Sequence, residues 1–366
     1  MDDAKSDITW DGVPEPRDAE LASWVFWHMC PGIGPRSLRR LLMEFGTAAA
    51  AAHAASRSAK RPDFVSREAW RIASSVPDAV GAGQSEIELA SRHGARVVAL
   101  PSREYPPLLR QIYDPPAVLY VMGRASLADA PWIAVVGSRS ATSYGTGAAR
   151  YLARQLTAAG AGVVSGMARG VDSAAHRGAI EAGGVTVGVI GAGLAYQMTP
   201  RLQRLAGEVA KSGCVVSPFH MNYPASRGTF PARNRVISGM AHACLVVEAG
   251  VRSGALVTSA FATEQNRDVF AVPGDINRPT SAGTNALIYD GARPVIGARR
   301  FLEELAAAGI PVRLPNTAGG GRTHNLGPAD EAVFPEVLAH HRTPNGVSPA
   351  RTFCPGCTFA RNGSGT

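Results

Sequence analysis

Six short valine-rich apolar runs, each followed by a stretch long enough for a crossover helix, constrain this chain more than any other feature. They are IAVVG (Ile133 to Gly137), GVVSGM (Gly162 to Met167), VTVGVIGAG (Val185 to Gly193), CVVSPF (Cys214 to Phe219), CLVVEA (Cys244 to Ala249) and VFAVPG (Val269 to Gly274). Nearly continuous hydrophobicity, closed on or near Gly, Ser or Pro, is how strands read when both faces of a parallel sheet are covered. The runs therefore predict an α/β fold with a Rossmann-like, doubly wound, mostly parallel sheet.

The flanks differ in pattern. Residues 1–18 read as a flexible N-terminus, and residues 19–90 as a small alanine-rich helical domain containing CPGIGPRSLRRLLMEFG. The Rossmann-like domain is expected over 91–315, opening with extended segments at Val97 to Pro101 and Asp114 to Gly123. Residues 316–366 read as a linker and a short, incomplete winged-helix-like tail, whose last part, RTFCPGCTFARNGSGT, has too few apolar residues to finish a three-helix core. Cys354 and Cys357 form the one close cysteine pair of five scattered cysteines, a weak zinc signal without a second ligand pair. The first ten residues, MDDAKSDITW, lack a basic region followed by an apolar run. No apolar stretch approaches the ~20 residues of a membrane span. A cytoplasmic protein with no membrane partner is expected.

The charge has a location. Between Pro131 and Arg300 lie seventeen Lys and Arg against eight Asp and Glu, a surplus of nine, while the whole chain carries a net formal charge of +8. The basic character thus belongs to the predicted sheet domain, and a polyanion, nucleic acid first, is the partner that such clustering favours. A genome bias toward arginine would explain Arg over Lys but not cations over anions.

In an open α/β sheet, ligands sit beyond the carboxyl ends of the strands, so the loops there carry the function. Gly137, Ser138 and Arg139 close the first strand, just before a helix start whose amides attract anions. That is phosphate-site chemistry, although an ordinary N-cap beside an exposed Arg fits the same residues. A dinucleotide cofactor is disfavoured: no complete G-x-G-x-x-G follows the first strand, and the second ends in Ser165-Gly166-Met167 where a ribose-binding acid belongs. Neither a P-loop nor a nucleophile elbow is present, so no cofactor is called for. Asp172 and His176 stand one helical turn apart, a spacing open to metal ligation or general-base work. A capped helix start with a packed histidine is the simpler reading.

The densest constellation is RGTFPARNR, which places Arg227, Gly228, Phe230, Arg233, Asn234 and Arg235 within nine positions. Guanidinium groups for phosphates, interleaved with a loop aromatic for base stacking, are what single-stranded nucleic-acid binders combine. The competing reading puts Phe230 in the core and pairs Arg233 or Arg235 with Glu248 or Glu264.

Taken together, DPPAVLYVMG, VVGSR, VVSGMARGVDSAAHRGAI, GVIGAGL, RGTFPARNRVISG, VVEAGVRSGALVTSAFATEQNRDVFAVPG and GTNALIYDGA resemble the bacterial DNA-processing (DprA/Smf) family from about Leu21 to Val295. The resemblance implies a non-enzymatic protein that binds single-stranded DNA, forms a homodimer, and helps load RecA recombinase during natural transformation or recombination. By motif match, Gly137, Ser138 and Arg139, with Arg227, Gly228, Phe230, Arg233 and Asn234, would line the DNA pocket. Ser253, Gly254 and Thr258 match the family's SGALVTSAF loop and would shape it. The alternative is a Rossmann-like nucleoside-monophosphate phosphoribohydrolase, whose glycine-rich loop is missing here, with Ser253-Gly254 in its place. Pro31 to Gly34 resembles a helix-hairpin-helix turn.

Overall fold

The computed structural model describes Trp10, residues 12–57 and residues 60–314. The expected tail, its cysteine pair and most of the expected flexible N-terminus lie outside these residues. Five helices come first: α1 (Asp18–Met29), α2 (Pro35–Phe45), α3 (Ala48–Ser56), α4 (Arg67–Ser74) and α5 (Ala79–Arg92). Their packing is tied by one acid: the Glu20 carboxylate accepts from the backbone N–H groups of Ala48 (2.7 Å) and Ala49 (3.0 Å), satisfying two orphan amides at the start of α3. Trp24 and Trp27 share that face of α1 and are buried: Trp24 Nε1 donates to Glu20 Oε1 at 3.2 Å, and Trp27 Nε1 donates to the Ala48 carbonyl at 3.0 Å.

The segment expected to be extended forms β1 (Ala95–Ala99) and β2 (Val118–Gly123), joined through the short α6 (Pro107–Arg110). The six apolar runs then supply β3 (Trp132–Val136), β4 (Gly162–Ser165), β5 (Thr186–Val189), β6 (Cys214–Ser217), β7 (Ala243–Val246) and β8 (Asp268–Ala271). Between them lie α7 (Ser143–Ala158), α8 (Val171–Glu181), α9 (Pro200–Ser212), α10 (Thr229–Met240) and α11 (Gly254–Glu264). After β8 come α12 (Ala282–Tyr289), β9 (Arg293–Pro294) and α13 (Ala298–Ala307).

The nine strands of the described residues make one sheet in the order β1-β2-β6-β5-β4-β3-β7-β8-β9. From β6 to β9 every pairing is parallel; β1 and β2 are antiparallel additions at one edge. The sheet is therefore Rossmann-like and mostly parallel, as the apolar runs predicted. Every residue of β3 through β7 is buried, which is why these runs show no polar alternation. The chain winds from β3 outward to β6, then returns to lay β7 on the other side of β3. That reversal opens a crevice between the carboxyl ends of β3 and β7, the place where such sheets bind ligands. Among the described residues, no helix is long and apolar enough to cross a membrane.

Candidate nucleic-acid interface

Beyond β3, the loop Gly137–Thr142 is held on two sides. Ser138 donates its N–H to the Glu248 carbonyl (2.7 Å), and its own carbonyl accepts from Val171 N–H (3.2 Å). Gly170, at φ +76°, sits so close to this loop that a Cβ there would lie 2.2 Å from the Ser138 carbonyl oxygen, and only glycine fits both constraints.

The helix start that follows is not an open anion site. Glu248, 3% exposed and just past β7, directs Oε2 to the backbone N–H of Thr142 (3.0 Å) and to its hydroxyl (2.9 Å). Thr142 Oγ1 in turn accepts from Gly145 N–H at 3.1 Å. A Cβ on Gly145 would meet Glu248 Oε2 at 1.8 Å. The chain's own carboxylate therefore occupies the positive end of α7. Of the two readings open for these residues, the geometry favours the ordinary N-cap at Thr142 beside Arg139, which is exposed.

The crevice itself is a cavity of about 760 Å³. Ten of the eleven candidate residues line it: Gly137, Ser138, Arg139, Arg227, Phe230, Arg233, Asn234, Ser253, Gly254 and Thr258. Gly228 does not. It is the N-cap of α10 in ordinary right-handed geometry, and a Cβ there would touch only Ser226 Oγ at 3.8 Å, so neither contact nor backbone requires glycine.

The RGTFPARNR segment lies mostly on the first turns of α10 rather than in a loop before it, and the helix sorts its side chains. Arg227 is exposed. Phe230 is half-buried and outside the core cluster; the Arg139 guanidinium carbon lies 4.9 Å from its ring centroid and that of Arg233 lies 6.0 Å away. Arg233 points the other way. It is 5% exposed, donating Nη1 to the carbonyls of Gly166 and Val189, the latter at 3.1 Å. A Cβ on Gly166 would lie 1.8 Å from Arg233 Nη1 and 2.7 Å from Asp172 Oδ2, so the two charged groups close over that glycine. Neither Glu248 nor Glu264 pairs with Arg233; Arg235 instead sets its guanidinium 5.4 Å from the Phe261 ring.

Burial governs this lower layer. It pulls the Arg233 pKa down to about 10 against the opposing pull of Asp172, with Arg139 pushing the same way as burial. Burial raises Asp172, while Arg233 and the Ala168 N–H (3.2 Å) favour its charged form. His176 is fully buried and its pKa falls to about 3, through burial first and the Arg233 charge second. Its Nδ1 lies 2.8 Å from Thr186 Oγ1. Because that hydroxyl spends its proton on the Val163 carbonyl (2.9 Å), His176 must be the Nδ1–H donor. Asp172 and His176 are thus parts of a buried support.

The remaining candidates also divide by task. Asn234 Nδ2 ties α10 to α11 through the Gly254 carbonyl (3.3 Å), and Ser253 caps α11 by accepting from Ala255 N–H (3.3 Å). Thr258 is 2% exposed and acts through packing. A Cβ at Gly254 would meet nothing within 4 Å, so this glycine leaves room in the cavity without being sterically required. Sequence reasoning missed Arg252, exposed on the same cavity wall, and Arg169, which follows β4 much as Arg139 follows β3. Their position shortly after a strand's carboxyl end was the available signal.

Comparison with known proteins bears on this site. The family model for DNA recombination-mediator protein A matches residues 96–306, which span β1 through most of α13. Protein Smf of Synechocystis is 31% identical over 299 residues, covering 79% of this chain and 74% of the relative. Among solved structures, DNA processing protein A from Streptococcus pneumoniae aligns with a TM-score of 0.59 at 27% identity, over 80% of this chain and 98% of that one. DNA processing protein A from Helicobacter pylori, described for its unique single-stranded DNA binding mode, aligns with a TM-score of 0.53 at 27% identity, over 58% of this chain and 96% of that one. The chain belongs to the DNA recombination-mediator protein A family, the DprA/Smf group that its motifs resembled.

Proposed function

We propose that the crevice between β3 and β7 binds single-stranded DNA, with Arg139 and Arg227 neutralising phosphates and Phe230 offering a ring to a base. The observation that carries this is the cavity wall: three exposed arginines, Arg139, Arg227 and Arg252, surround a half-buried aromatic. Backbone cations with a stacking platform favour a single strand and show little sequence preference. The relative from Helicobacter pylori, described for its single-stranded DNA binding mode, supports the reading.

The test is a titration with single-stranded and duplex oligonucleotides of equal length at two salt concentrations. The single strand should bind tighter, with log affinity falling by about 0.7 per log unit of salt for each phosphate neutralised. Equal or stronger duplex binding overturns it.

On this reading the chain acts by binding, not by turnover. Glu248, the acid of VVEA, stands where nucleotide-hydrolysing relatives of this architecture would place a catalytic carboxylate, yet it is committed to Thr142 at the start of α7. Nucleoside monophosphates should release no base. In the same proposal the protein works in the cytoplasm as a homodimer through the sheet domain and promotes RecA loading on the bound strand. Tyr289 (92% exposed) and Ile296 (67% exposed), either side of edge strand β9, are apolar surface suited to a second copy.

A further inference from the structure

A second cavity, of about 440 Å³, opens at the carboxyl ends of β4 and β5. Arg139, Phe230 and Arg233 belong to its wall and to that of the crevice, so Phe230 stands between two recesses. We propose that this second cavity holds the base and phosphate of a neighbouring nucleotide on the same strand. The proposal rests on the reading that the crevice binds single-stranded DNA.

Its chemistry is divided as a nucleotide is. Ile190 and Leu205 are buried beneath it and Tyr196, 39% exposed, stands on its wall, a surface for the face of a base. Arg169 and Arg201 lie on its margin, both exposed, and neither has a hydrogen bond or ion pair among the described residues. No carboxylate lines the cavity. A cation ligand is thereby disfavoured, and an anion attached to an apolar, flat group is favoured.

The recess is also held in shape before any ligand arrives. Ala195 N–H donates to the Met221 carbonyl and Gly193 N–H to the Tyr223 carbonyl, both at 2.8 Å, pinning the loop that carries Tyr196. Thr199 caps α9 by accepting from Leu202 N–H at 3.4 Å. The mouth of this cavity and the crevice are two strand positions apart, roughly 10 Å at the usual spacing. The bases of neighbouring nucleotides span that distance when splayed to either side of the Phe230 ring, with the phosphate between them beside Arg139.

Photocrosslinking tests this on the full chain. A thymidine oligonucleotide bearing 5-iodouracil is bound and irradiated, and the modified residues are identified by mass spectrometry. Crosslinks at both Phe230 and Tyr196 are expected. In an Arg169→Ala/Arg201→Ala variant the Tyr196 crosslink should be lost while that at Phe230 persists, and the slope of log affinity against log salt should fall by about 0.7, the value for one phosphate. Crosslinks at Phe230 alone, with an unchanged slope in the variant, overturn the second cavity and leave the crevice reading intact. Crosslinks at Tyr196 alone support the second cavity and count against the crevice. Crosslinks at neither overturn both.

Discussion

Arg227 and Arg233 stand six residues apart in one motif, and the fold gives them opposite work. Arg227 is exposed at the cavity wall, free to meet a phosphate. Arg233 is buried beneath it, spending its donors on the Gly166 and Val189 carbonyls beside Asp172. The difference teaches that an arginine-rich motif in a nucleic-acid binder has two layers. One layer contacts the ligand; the other holds the strand ends and the first turn of α10 where the contacts are made.

The sharpest way to break this division is Arg233→Ala. It strips two buried carbonyls of their donor and leaves the buried Asp172 without its neighbouring positive charge, a change that typically costs about 3–5 kcal/mol of stability. Thermal unfolding should show a large loss of melting temperature, while Arg227→Ala should leave it nearly unchanged. If Arg233→Ala melts like the parent and only DNA affinity falls, the buried layer is a contact layer.

Phe230 lies at the boundary between the layers. Phe230→Ala should weaken single-stranded DNA binding by ~1–3 kcal/mol, the range for losing one stacked base, without changing the salt slope. Titrations at several salt concentrations check both quantities. A sharp drop in melting temperature with normal DNA affinity in the surviving folded protein would assign Phe230 to the core instead.

Acid should act on the histidines that burial holds neutral: burial lowers the pKa of His28 to about 4, and that of His176, in the layer beneath the crevice, further still. His176 ionises near 6.5 when unfolded and near 3 when folded, so below pH 6.5 the unfolded chain binds the extra proton and stability falls with pH. The loss is about 1.4 kcal/mol per pH unit through that window, so lowering the pH from 7.5 to 5.5 should cost roughly that much from this residue. Asp172, raised in the folded state by burial, works in the opposite direction as its carboxyl protonates. Denaturant unfolding at pH 7.5 and 5.5 measures the difference, and His176→Asn should reduce it by roughly that amount, leaving the share of His28. A parent protein equally stable at both pH values would show that His176 is not held neutral.

The smallest effect belongs to the exposed layer. Arg227→Ala should lower the salt slope for a single strand by about 0.7, one phosphate contact, with melting unchanged. An unaltered slope would remove Arg227 from the interface.

Much of this molecule is legible in its sequence. The six apolar runs are β3 to β8, because strands covered on both faces must be continuously hydrophobic, a property each run carries by itself. The cluster of candidates around the crevice was legible too, since open sheets place function beyond the carboxyl ends of their strands. Only the tertiary structure decided which of those residues face outward. Whether Arg227 or Arg233 is buried depends on α10 packing over β4 and β5, elements far away in the chain. Glu248 closes the α7 helix start from 106 residues away, which no local pattern records. The recess on the far side of Phe230 exists only because loops after β4, β5 and β6 meet there. Periodicity and motif spacing report what a segment can become; burial and charge pairing belong to neighbours that the chain brings together only on folding.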